Sequence, residues 1–278
     1  MTREELAKQR TSKIIKANEL IQRSRYDLTL RQQKLVLFLI SRIQKTDTVD
    51  HVYHTSIREI SEVCNFPNDG SWTLIKKDLL KLTERKWGVT ITGEEATISW
   101  IGDVIFPETG GVDITFNKYM APYLFQLHEQ YTQMKLDDVL VFRCKYSVRL
   151  YEYIRSYAGQ HRLEEDTETD IAYHPVRITL SDQELRKRVE CVDQYPKWKE
   201  FHRSVLKKAV DEINRNNTDI HISYTTQESA QGRLITFTVI SKDGGKTIKD
   251  MHNLNIEFVE AYNNRQDKLG TGKHIGKR

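Results

Sequence analysis

"PKWKEFHRSVLKKAVDEIN", Pro196 to Asn214, reads as one helix with a proline start. At about 100° per residue, Trp198, Phe201, Val205, Ala209 and Ile213 share one face, an ordinary core stripe. Lys199, Arg203 and Lys207 follow at four-residue spacing and project roughly opposite to it. Glu200, Asp211 and Glu212 flank the stripe. Alone, such a helix is more simply a solvated outer face, so the rest of the chain must decide.

The chain has 278 residues, enough for one large domain or two of ordinary size, either with a proper core. A charged fraction of 29% and a net charge of +4 suit a soluble protein with an anionic partner, but the excess is modest and local clustering carries more. No apolar run approaches the roughly 18 residues of a membrane span, and Leu35 to Ile40 is the longest. The N-terminus is charged from Arg3 onward and lacks a signal-peptide apolar region. Cys64, Cys144 and Cys191 are odd in number and widely spaced, as expected of reduced core thiols in a cytoplasmic protein.

Residues 1–25 carry seven Lys/Arg against three acids and lead into "YDLTLRQQKLVLFLISRIQ". There Thr29 with Gln32 forms a capping box, and Leu35, Phe38, Leu39, Arg42 and Ile43 continue a helical period. Ile57, Ile60 and Val63 mark a short helix, "NFPNDG" a turn, and a second helix follows from about Ser71. On that helix Trp72, Ile75, Leu79 and Leu82 point one way, and Lys77, Lys81 and Arg85 the other. "WGVTI", "ATISWIG" and "VDITFN" read as strands. Helix, helix, turn, helix and hairpin is the order of a winged helix.

The second half repeats the plan. "KYSVRLYEYIRSYAG" is a helix with Ser147 as its expected cap, followed by the acidic loop "EEDTETD". "TLSDQELRKRVE" opens with a capping box from Ser181 to Glu184, "CVDQYP" turns the chain, and the 196–214 helix follows. "DIHISYTT" and "RLITFTVIS" then alternate like paired strands joined by "QESAQG". The expected fold is therefore α+β: two tandem winged-helix domains with polar N- and C-terminal tails. The domains span 1–138 and 139–242, and a polar basic tail spans 243–278. "YMAPYLFQL" (Tyr119–Leu127) is either buried core or part of a dimer face, with core the simpler reading.

Two such modules in order turn the basic stripe into a candidate DNA-contacting face. A helix-turn-helix places its second helix in the major groove while neighbouring groups hold phosphates. Arg203 is the candidate for base readout, because arginine grips guanine O6 and N7 with two bonds. Lys199 and Lys207, flexible point charges, suit phosphates.

Enzyme signatures fit poorly. "DGGKT" resembles the end of a phosphate-binding loop, but Ile240 stands where that motif needs its first glycine, and "LGTGKH" fails likewise. His51 and His54 in "HVYHT" lack the spacing of nicking enzymes, and Tyr151, Tyr153 and Tyr157 look like helix packing. No Cys/His cluster has metal-site spacing, so the reading names no catalytic residue, cofactor or metal.

At this point the chain resembles the initiator replication proteins of theta-replicating, iteron-bearing plasmids, the group that includes the F-plasmid initiator. "YDLTLRQQKLVLFLISRIQKTD" is similar to the family's opening helix, and "YTQMKL" with "YSVRLYEYI" to its junction between domains. "FHRSVLKKAVDEIN", then "ISY" and "GRLITF", is similar to its C-terminal recognition helix and wing. The resemblance covers about Asn18 to Ile240. It implies pseudo-symmetry between the two winged helices. It implies monomers bound to direct repeats in double-stranded origin DNA, and homodimers bound to an inverted repeat at the promoter, repressing it. It also implies opening of an AT-rich segment and recruitment of a host initiator and helicase.

Carried over by residue, Arg203 matches an arginine of the family's "FRRR" run, with His202 and Ser204 replacing its neighbours. Arg233 matches the wing's "GR", but "QESAQ" stands where lysines often precede it. The expected DNA-binding set is Lys197, Lys199, His202, Arg203, Lys207 and Arg233, with Lys77, Lys81 and Arg85 in the first half. Three rivals stay open: a dedicated transcription repressor on the same plan, a DNA-nicking enzyme, and a protein-interaction module whose basic faces are only solvated.

Overall fold

The computed structural model describes the chain except residues 68–70, 92–93, 109, 161–175, 217, 230–231 and 242–278. The acidic loop, "DGGKT", "LGTGKH" and the 243–278 tail therefore lie outside the described residues.

The basic N-terminal segment is folded. Thr2 and Glu5 form a reciprocal capping box that opens α1 (Arg3–Arg10). Arg10 then donates to the carbonyls of Glu62 (2.9 Å) and Val63 (3.1 Å), tying α1 to a later helix. β1 (Lys13–Ala17) and α2 (Asn18–Arg23) follow, and then α3 (Leu30–Ile40), β2 (Tyr53–Thr55), α4 (Ile57–Cys64) and α5 (Ser71–Glu84). The expected Thr29–Gln32 capping box opens α3. β3 (Trp87–Ile91) and β4 (Glu94–Ile98) form a separate hairpin, and β5 (Ile101–Ile105) and β6 (Val112–Phe116) complete the first half.

"ATISWIG" is thus not one strand. It breaks at Ser99 and Trp100, where the chain leaves the β3–β4 pair and enters the β5–β6 pair. Trp100 is fully buried there, stacked on Trp87 at 5.1 Å and edge-on to Tyr26 at 4.8 Å.

After α6 (Ala121–Leu124), β7 (Tyr131–Lys135) pairs antiparallel with β1, and α7 (Leu136–Leu140) leads into α8 (Lys145–Gln160). Met120, Tyr123, Leu124 and Phe125 are buried, so these four residues of "YMAPYLFQL" are core. β8 (Val176–Ser181), α9 (Asp182–Arg188), α10 (Trp198–Phe201), a π-helical turn (His202–Lys207) and α11 (Lys208–Arg215) follow, then β9 (Ile220–Ser229) and β10 (Gly232–Ser241). At α9 only half of the expected capping box is seen, Ser181 accepting from the Glu184 N–H. Ser147 does not cap α8. Its hydroxyl donates to Glu212 instead.

The two three-stranded sheets have the same order, β2–β6–β5 in the first half and β8–β10–β9 in the second, antiparallel throughout. Each has a first strand before its helix pair and two strands after it, with the last strand central. That is the winged-helix topology, twice.

α8 joins the halves through a buried polar cluster. Glu152 accepts from Lys16 (2.8 Å) and Arg149 (3.2 Å), and the Tyr26 hydroxyl bonds Lys16 (3.3 Å) and Arg149. The side chains of Lys16, Arg149 and Glu152 are at most 2% exposed. Burial pushes the Glu152 carboxyl up, but Lys16 and Arg149 outweigh it and hold it below the usual carboxylate range.

A second cluster lies where α7, α8 and the start of β9 meet. The Tyr151 hydroxyl lies 2.7 Å from Asp219 and 3.2 Å from Asp138, and Arg155 donates to Asp219 at 2.6 Å. One hydroxyl proton cannot serve two carboxylates at once. Burial, then the Asp219 charge, raises the Asp138 pKa to about 6. Its folded pKa lies above its unfolded value, so its stabilising contribution is complete below about pH 4 and is lost as pH rises through about 6. Asp138→Asn is expected to raise stability at pH 7 by about 1–3 kcal/mol and to flatten the pH dependence between 4 and 6. Urea unfolding at several pH values measures both, and an unchanged pH profile would contradict this placement of the charge.

Candidate nucleic-acid interface

The helix of the opening stretch begins two residues later than its proline. Lys197 is the N-cap residue, its carbonyl accepting from Glu200 and Phe201 at 3.1 Å, and Pro196 precedes it. From Trp198 the chain stays helical to Arg215, with i→i+5 hydrogen bonding between His202 and Lys207. Phe201, Val205, Leu206, Ala209, Val210 and Ile213 are buried, so the core stripe is broader than the one read from sequence.

The start of the helix is held from both sides. Arg186 of α9 lies over the Phe201 ring at 4.1 Å and donates to the carbonyls of Gln194 (3.0 Å) and Tyr195 (2.8 Å). It thereby fixes the "CVDQYP" turn between the two helices. On the wing side, the His202 ring lies tilted against Trp198 at 5.5 Å and meets the Tyr224 hydroxyl at 2.9 Å.

The far end is fixed by "DEIN", whose four residues have separate tasks. Asp211 pairs with Lys207 at 2.6 Å. Glu212 accepts from the backbone N–H groups of Arg143 (2.7 Å) and Cys144 (3.2 Å) and from Ser147, tying the helix to the start of α8. Ile213 is core. Asn214 donates to the Ile222 carbonyl (2.7 Å) and accepts from its N–H (2.8 Å), mimicking one rung of a β-ladder and locking helix to wing. Sequence reasoning gave Glu212 and Asn214 no role; a polar pair beside a core residue at a helix end was the available signal.

What remains outward is basic. Lys199, Arg203 and Lys208 are exposed, and none has an ion-pair or hydrogen-bond partner among the described residues. Lys207 is exposed but engaged, the hydrogen bond and charge of Asp211 holding its ammonium above the usual lysine range. Arg233 on β10 pairs with Glu228 and lies 4.4 Å over the Trp198 ring. That contact clamps the turn end of the β9–β10 wing to the helix start. Four of the expected residues, Lys199, His202, Arg203 and Lys207, thus lie on one helix, with Lys197 at its cap and Arg233 against it.

In the first half, Lys77 and Lys81 are exposed on α5, and Arg85 just beyond it pairs with Asp27 at 3.1 Å. The buried face of α5 differs from the expected stripe. Trp72 is 56% exposed, whereas Asp78 is buried and bonded by Gln32 (3.1 Å) and Arg31. Apolar periodicity cannot detect a buried aspartate, and it placed Trp72 inward because Trp72 continues the spacing of Ile75, Leu79 and Leu82.

The nicking constellation does not form. His54 lies 2.7 Å from Asp113 across the β2–β6 pair, and Tyr151 and Tyr153 are buried. Among the described residues, no three His, Cys, Asp or Glu side chains are grouped to hold a metal, and no helix is long and apolar enough to cross a membrane.

Comparison with known proteins agrees with this geometry. Residues 13–155 match the family described as initiator replication protein, WH1, and residues 182–240 match its WH2 part. A replication initiation protein of Escherichia coli is 26% identical over 212 residues, an alignment covering 72% of this chain and 61% of the relative. The crystal structure of the Pi initiator protein in complex with iteron DNA superposes with a TM-score of 0.65 at 17% identity. That superposition covers 84% of this chain and 99% of the Pi chain. With both halves matched in order and the same tandem winged-helix fold, the chain belongs to the initiator replication protein family.

Proposed function

We propose that this protein is a non-enzymatic plasmid replication initiator that binds repeated sites in an origin sequence-specifically and promotes its opening. The observation that carries the reading is the pair of exposed cations Lys199 and Arg203, unpartnered among the described residues, on a helix held at both ends. Arg203 reads a base, Lys199 and Lys207 hold phosphates, and Lys197, His202 and Arg233 support them at the helix start. Lys77, Lys81 and Arg85 contribute phosphate contacts from the first winged helix. The residue division 1–138, 139–242 and 243–278 belongs to the same reading. So do a monomer–homodimer equilibrium, repression of the protein's own promoter, and recruitment of a host initiator and helicase in the cytoplasm.

Work on DNA comes from binding energy, with no nucleotide hydrolysis. Deforming a site of 20–30 base pairs costs on the order of 1–6 kcal/mol, which contacts from two linked modules offset. The relative named for its complex with iteron DNA supports this choice of ligand. The test is a strand-opening assay on supercoiled origin DNA with host factors. Permanganate-reactive thymines beside the repeats, dependent on this protein, are expected. Tight promoter binding with no opening under any condition would instead make the protein a dedicated repressor, and a covalent protein–DNA adduct would make it a nicking enzyme.

A further inference from the structure

α5 holds the place in the first winged helix that the Trp198–Arg215 helix holds in the second. Their outer surfaces differ in chemistry. The second helix presents Lys199, Arg203, Lys207 and Lys208. The first turn of α5 presents Trp72 (56% exposed), Thr73 and Leu74 (41%), with Lys77 and Lys81 exposed further along. Trp72 is oriented without being covered. Lys76 Nζ lies 5.0 Å from its ring and 4.6 Å from the Phe106 ring, pinning the indole beside the sheet.

Apolar side chains set among lysines suit a polyanion that carries an apolar group between its charged rails. Duplex DNA has one such group on its base edges, the C5-methyl of thymine in the major groove. The N-terminal residues of a helix-turn-helix reading helix are those that reach base edges. A protein partner on the same patch would cover Lys77 and Lys81, although lysine is depleted in protein interfaces. We propose that α5 reads thymine methyl groups through Trp72, Thr73 and Leu74, with Lys77 and Lys81 on the flanking phosphates. The two winged helices would then divide the repeat, methyl readout by the first and guanine readout by the second. This rests on the DNA-binding function proposed above.

The test replaces thymine by uracil one position at a time in a repeat-containing duplex, which removes only the methyl and keeps the pairing. At one or more positions, wild-type binding is expected to weaken about three- to fivefold. Trp72→Ala and, independently, Leu74→Ala should weaken binding to the thymine duplex and lose sensitivity to uracil at the position each contacts. Both residues are exposed, so both variants should fold. The proposal is overturned if no uracil substitution changes affinity, or if both variants keep full uracil sensitivity. It is equally overturned if Trp72→Ala spares the duplex and impairs only single-stranded repeat DNA, which would make the indole a stacking platform. Wild-type protein that does not prefer the repeat over a scrambled duplex would overturn the broader DNA-binding reading as well.

Discussion

Glu152→Ala is expected to lower the unfolding free energy by about 3–5 kcal/mol, the largest effect of any single change considered. The magnitude follows from what is left behind. Lys16 and Arg149 are buried beside each other, and Glu152 is the carboxylate bonded to both. Without it, two cations stay in a site where water cannot replace the lost oxygens. Glu152→Gln retains an acceptor but not the charge, and should recover part of the loss. Replacing Lys16, Arg149 and Glu152 together by methionine should cost much less than Glu152→Ala, because no charge is stranded. Urea unfolding followed by fluorescence and circular dichroism measures all three. If Glu152→Ala costs under about 1 kcal/mol, the cluster is hydrated and the halves are not joined through it.

Arg203→Ala is expected to cost about 1–3 kcal/mol of discrimination between repeat and non-repeat DNA, roughly five- to 150-fold in affinity ratio. The side chain is exposed, so stability should be nearly unaffected. Lys199→Ala differs in kind. A phosphate contact carries no sequence information, so its loss should weaken binding to all duplexes alike and reduce the salt slope by about one. The two variants together separate reading from holding. If Arg203→Ala instead weakens all duplexes equally, it too is a phosphate contact and another group reads the base.

The tandem winged-helix plan was legible because its signals are local. Apolar spacing marks α3, α4 and α5, alternation marks β9 and β10, and Thr29 with Gln32 announces a helix start. What was not legible depends on residues far apart in sequence. Lys16 and Glu152 look like surface charges until the fold brings them together across 136 positions. Asp78 is inside because Arg31 and Gln32 satisfy it, while Trp72, on the same helix, is outside. β1 and β7 are short and rich in lysine and polar residues, so neither shows a strand pattern before its partner is known. On the basic helix, the stripe marked exposed residues but not which of them are engaged. Asp211 engages Lys207, and Glu228 with Trp198 engages Arg233, whereas Lys199, Arg203, Lys208 and Arg215 are exposed helix cations with no ion-pair or hydrogen-bond partner among the described residues.

The central claim is that this surface recognises DNA by sequence. Its most direct test is a titration of the purified protein against the DNA flanking its own gene, with a scrambled duplex of equal length, at several salt concentrations. Repeats in the flank should bind much more tightly than the scrambled control. Log affinity should fall linearly with log salt, by about 0.9 per phosphate neutralised. Equal, weak and salt-insensitive binding to both duplexes would contradict the account and leave the Lys199–Arg203 face a solvated surface.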